Sequence, residues 1–158
     1  MKAVFVAMPG ERAEALWAGG PDDYGLAPER DVSDGDGVPC RHCLRMVEAG
    51  QDFLVLAYRP FPHLQPYAET GPVFLHAEPC VRAPDSVDIP EILCGSPDYI
   101  VRGYCADDRI VYGTGAVTPT REIPARAAAL LALPAVDYVH VRSARNNCFQ
   151  CRIEPDRR

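Results

Sequence analysis

The sequence predicts a single-domain α+β protein with a mostly antiparallel sheet and two β-hairpins flanking one main helix. Three observations carry this. The 158 residues are enough to bury a real core. Residues 98–115 and 136–154 each read as two apolar runs broken by a short polar turn. Between them, 121–133 spaces Ala127, Ala128, Leu130 and Leu131 as a helical stripe.

Taken in order, residues 2–8 read as a strand that Pro9-Gly10 breaks, and 11–18 as a short helix stopped at Gly19-Gly20. Residues 22–39 are rich in Asp, Gly and Pro and read as loop, so 1–38 forms a strand, a helix and an acidic loop. Residues 52–58 are apolar on both faces and predict a central strand. Residues 73–76 predict a second strand that delivers His76, and Pro79 predicts a short helix with Cys80 at its N-terminus. Asp88–Leu93 reads as another short helix. Strands at 98–105 and 109–115 pair across Ala106-Asp107-Asp108, and Thr120 is placed to cap the 121–133 helix. The last hairpin joins 136–144 to 148–154, so 98–154 reads hairpin, helix, hairpin.

Alternation fixes the expected register of that last hairpin. Val139 and Val141 share a face with Phe149, Cys151 and Ile153 only if Ala144 pairs with Cys148. The loop is then Arg145-Asn146-Asn147, with Asn147 left-handed. The opposite face carries His140, Arg142, Cys148, Gln150 and Arg152, as solvent-facing sheet or as one wall of a site.

The chain carries 22 acids against 16 bases, a net charge of −6. Residues 1–39 hold eight of those acids and three of the bases. An acidic chain with one lysine lacks the electrostatic footprint of a general nucleic-acid binder. No apolar run reaches membrane-spanning length, and the start is too short and too early broken for a secretory signal. These features predict a cytoplasmic protein with no membrane partner, acting on an unknown small molecule or protein.

Seven cysteines without an export signal argue against a disulfide framework and for metal or thiol chemistry. Segment 39–80 is the candidate metal-binding stretch. It opens with Cys40-x-x-Cys43 and closes with His76-x-x-x-Cys80, and two ligands from a tight turn plus two from a second element suit tetrahedral Zn²⁺. Cys148 and Cys151 are alternative ligands, but residues three apart on a regular strand face opposite ways. The candidate catalytic set is Cys148 with His140, Arg142 and Arg145, because flanking guanidinium groups favour a thiolate and histidine is the usual base. The plainer reading is an inert thiol. Tyr58, Arg59, His63 and the 67–72 loop read as the lining of a pocket for small anions or peptides, or as a proline-rich structural loop. The first functional reading is therefore a zinc-stabilised binding or accessory protein. The second is a thiol enzyme or redox protein using Cys148.

Several stretches carry a family resemblance. They are Pro-Cys-Arg-His-Cys at 39–43, Tyr-Arg-Pro-Phe at 58–61, Tyr-Ala-Glu-Thr-Gly-Pro-Val-Phe-Leu-His at 67–76, Asp-Asp-Arg-Ile-Val-Tyr-Gly-Thr-Gly at 107–115 and Val-His-Val-Arg-Ser-Ala-Arg-Asn-Asn-Cys at 139–148. With these, the chain from about residue 39 onward resembles the bacterial domain-of-unknown-function family twelve hundred and three. The resemblance implies a soluble bacterial protein of about this length and brings no activity with it.

Overall fold

In a computed structural model, residues 1–157 build two antiparallel sheets. The larger has five strands: β1 (Ala3–Val6), β5 (Asp98–Tyr104), β6 (Ala116–Pro119), β7 (Tyr138–Ser143) and β8 (Phe149–Pro155), in the order β1-β8-β7-β5-β6. The smaller has β2 (Glu29–Val32), β3 (Asp52–Tyr58) and β4 (Gly71–His76), with β3 in the middle. Helix α1 (Gly10–Trp17) packs with the small sheet, and α2 (Ile123–Leu131) covers one face of the large one.

Each sheet has its own core. Under α2, Ile123, Ala127, Leu130 and Leu131 meet Val101, Val139, Val141, Cys151 and Ile153. On the small sheet, Leu54, Leu56, Val73 and Leu75 meet Ala13 and Leu16 of α1. A carboxylate ties the acidic segment to β3. Asp22 accepts from the backbone N–H of Tyr24, Leu26 and Ala57 at 2.9, 3.0 and 3.0 Å. Burial pushes its pKa up, but those three donors outweigh it and hold the carboxyl below its ordinary value.

The α+β class, the central β3 and the hairpin–helix–hairpin order stand as the sequence predicts. Five details differ. Strand β2 lies inside the segment read as loop. All four of its side chains are exposed, so it shows no apolar period and is held by backbone pairing to β3. After β5 the chain turns as expected, with Tyr104 bridging Ile110, but the sustained partner is β6. There Thr114 accepts the Gly103 N–H on its hydroxyl at 3.0 Å, and Gly113 turns with φ of 88°. Thr120 does not cap α2; its hydroxyl donates to the Ser96 carbonyl at 2.7 Å. Cys80 sits in extended loop rather than at a helix start, and the turn Glu91–Leu93 is all that forms of the 88–93 helix.

The β7–β8 register carries the largest correction. Val139 faces Ile153 and Val141 faces Cys151, as alternation requires, and Asn147 is left-handed with φ of 57°. Next to the loop Arg142 pairs with Phe149, so Gln150 is an extra residue in a bulge. The bulge sends Phe149 to the His140 face, where it packs with Tyr58 of the small sheet. That face is not solvent: His140 is 0% exposed and Arg142 4%.

Candidate metal centre

The segment from Pro39 to Met46 folds as a tight knuckle. Pro39 and Met46 bridge antiparallel, the Leu44 N–H donates to the Cys40 carbonyl at 3.0 Å, and Leu44 takes a positive φ of 57°. Cys40 also bridges Phe74, which lays the knuckle beside β4. Strand β4 ends at His76, whose N–H donates to Cys40 Sγ at 3.4 Å. The following loop brings Cys80 back.

These elements gather Cys40, Cys43, His76 and Cys80, whose donor atoms all lie within 4.8 Å of one another. Cys40 Sγ and Cys80 Sγ are 3.8 Å apart, and Cys43 Sγ and His76 Nδ1 are 3.5 Å apart. A tetrahedron with Zn–S of about 2.3 Å and Zn–N of about 2.0–2.1 Å has edges of about 3.8 Å and 3.6 Å. Disulfide sulfurs would stand about 2.05 Å apart, and all seven cysteines are free. The Cys3His group could hold a metal ion.

The thiols interact as one unit. Cys40 takes hydrogen bonds from Cys43 and Cys80, which drives its pKa far down. The hydrogen bond to that thiolate keeps the proton on Cys43, pushed up to about 11, and the same cause raises Cys80 further. A bound cation would take the place of these protons.

Three neighbours that the sequence did not single out brace the site. His42 Nδ1 lies 3.3 Å from Cys80 Sγ, and its ring meets Trp17 edge-on at 5.1 Å. Trp17 Nε1 donates to the His76 carbonyl at 2.8 Å. Arg41 is buried; its Nε donates to the Phe149 carbonyl and its Nη1 to the Pro39 carbonyl, both at 2.7 Å. Burial pulls the Arg41 pKa down to about 10, so it stays charged. Its bond to Phe149 ties the knuckle to the β8 bulge. Polar contacts to a cluster sulfur and to the histidine carbonyl are of the kind that an outer shell supplies around a metal site.

The other predicted residues are not drawn into this centre. Cys151 is buried under α2, where burial pushes its thiol up to about 12. Cys148 is half-buried at the hairpin end, and its thiol contacts the Asn146 carbonyl at 3.6 Å. Neither joins the Cys3His group, because the bulge leaves Cys151 in the α2 core and Cys148 beside the loop. The catalytic set is not assembled either. His140 is enclosed by the rings of Phe61, Tyr104, Tyr138 and Phe149, and neither ring nitrogen has a hydrogen-bond partner among the described residues, Cys148 included. Arg142 Nη1 pairs with Glu69 at 3.0 Å, and Arg145 with Asp98 at 2.9 Å on the surface. Cys148 and Arg142 do line one cavity together with Glu69, but neither His140 nor Arg145 is in its lining.

Fold and site together define a two-sheet α+β protein built around a cysteine–histidine cluster competent to hold a metal. The chain belongs to a family described as protein of unknown function (DUF1203), which matches residues 37–155 and so includes all four cluster residues. No curated protein and no solved structure matches the chain. Among the described residues, no helix is long and apolar enough to cross a membrane.

Proposed function

We propose that the protein is a cytoplasmic binding or accessory module whose fold is stabilised by one structural Zn²⁺ on Cys40, Cys43, His76 and Cys80. The observation that carries this reading is the spacing of the four donors, close to the edges of a zinc tetrahedron. Three thiolates and an imidazole form a soft to borderline donor set of the kind that selects zinc over Mg²⁺ or Ca²⁺. All four ligands come from the protein, so no position is left for substrate and the metal's role is structural. Seven free cysteines agree with a reducing compartment.

Metal analysis of purified protein is expected to give about one zinc per chain, since structural zinc binds with roughly 10–16 kcal/mol of apparent free energy. Stripping it, or making Cys80→Ser, is expected to remove most of the folding stability. A metal-free sample that melts at the same temperature as the loaded one sinks the reading.

A further inference from the structure

A separate cleft opens where the two sheets meet. It holds about 770 Å³, within the range of small-molecule sites. Its walls come from the β3 end and the turn after it, the start of α1, and β7 and β8. Tyr58, Phe61 and Phe149 give it apolar surface.

Its charged groups are four arginines, Arg12, Arg59, Arg82 and Arg152, against three acids. Arg82 is held at the mouth, donating from Nε to the Met8 carbonyl at 3.1 Å and from Nη2 to the Ala7 carbonyl at 3.0 Å, with Nη1 in ion-pair range of Asp85 at 3.4 Å. Asp23 accepts the Arg59 backbone N–H at 2.6 Å, and Arg59 Nε donates to the Phe61 carbonyl at 3.1 Å. Among the described residues no carboxylate lies in ion-pair range of the Arg59 guanidinium. Two of the acids on the cleft are already engaged: Asp23 with Arg12 at 2.9 Å, and Glu154 with Arg152 at 2.6 Å. The third, Glu11, is exposed in the first turn of α1.

Two further features point to a ligand. Helix α1 starts on the cleft at Gly10 and Glu11 with no side chain capping it, which places the positive end of the helix at that wall. His140 also lines the cleft, fully buried, with both ring nitrogens unpartnered among the described residues. Buried polar atoms nearly always have partners, so this imidazole is an unsatisfied polar group in the wall of the cleft.

We propose that this cleft binds a small organic oxyanion, a carboxylate or phosphate monoester on a flat apolar body, its headgroup between the start of α1 and Arg59 and Arg82. The body lies against Phe61 and Phe149. The assignment rests on the binding-module half of the function above and is independent of the metal.

The test is an NMR titration of the whole chain, with metal content measured on the same samples. It follows the Gly10 and Glu11 amides and the His140 ring nitrogens. The probes are phenyl phosphate, benzoate, inorganic phosphate and benzyl alcohol. Phenyl phosphate or benzoate is expected to saturate with Kd of about 1 mM or tighter, with the bare phosphate and the neutral alcohol about tenfold weaker or worse. Which of the two anions binds tighter decides between phosphate and carboxylate. Arg59→Gln is expected to weaken that anion about tenfold at an unchanged melting temperature. Three outcomes overturn the proposal: no saturable shift from either organic anion, benzyl alcohol binding as tightly, or wild-type affinity in Arg59→Gln. Failure at full metal load removes the cleft and leaves the zinc reading standing; absence of metal leaves the titration interpretable.

Discussion

His140 shows how one buried side chain links packing to pH. Burial pulls its pKa well below the ordinary value of 6.5, and the charges of Arg142, Arg152 and Arg102 push the same way. The phenol rings of Tyr104 and Tyr138 face it and bring no charge to offset this. The folded chain therefore holds the imidazole neutral, while the unfolded chain protonates it near its ordinary value. Its contribution is fully present above that value and is lost as pH falls below it, at up to about 1.4 kcal/mol per pH unit. His140→Phe keeps a flat ring among the other rings and removes the proton. Urea unfolding at pH 7.5 and pH 5.5 is expected to show a smaller acid loss in the variant than in the wild type. Equal losses would mean that the other histidines carry the dependence.

At the scale of elements, the β8 bulge decides which sheet Phe149 serves. Phe149 is 7% exposed and packs with the small-sheet core, so Phe149→Ala is expected to cost about 3–5 kcal/mol by chemical denaturation. A cost below about 1 kcal/mol would mean that the side chain contributes little packing between the sheets. The same bulge marks where sequence reasoning stopped. The pairing of Val139 with Ile153 and Val141 with Cys151 was legible because the α2 core enforces period two. One extra residue is invisible to that rule, so Phe149 was placed on the wrong face. The Cys40–Cys80 cluster was legible because the knuckle is local and the four residues carry a recognisable spacing. Arg41 and His42 were not, because bracing a thiolate or a carbonyl needs no fixed spacing. Strand β2 left no apolar trace, since it is held by backbone pairing and by the charged side chain of Arg30 rather than by apolar burial.

The whole molecule joins two cores unequally. The α2 core takes only Leu44 among its buried residues from the knuckle, whereas the small-sheet core contains Cys40 and has Cys43 and Cys80 packed against it. On the zinc reading proposed above, metal removal is expected to loosen the halves to different degrees. Hydrogen exchange on chelated protein is expected to accelerate first in β3, β4 and residues 38–47, with β5, β7 and β8 under α2 protected longer. Uniform acceleration would show that the sheets unfold as one unit. Strand β2 carries a consequence for crowded solution. It forms an outer edge of the small sheet and presents Glu29, Arg30 and Asp31 to water, with Arg30 pinned to Asp52 at 2.8 Å and Glu78 at 3.0 Å. A foreign strand docking there would have to bury these charges, so the edge is guarded against self-association. Neutralising it with Glu29→Thr, Arg30→Thr and Asp31→Thr together is expected to promote aggregation seen by light scattering at concentrations where the native chain stays dispersed.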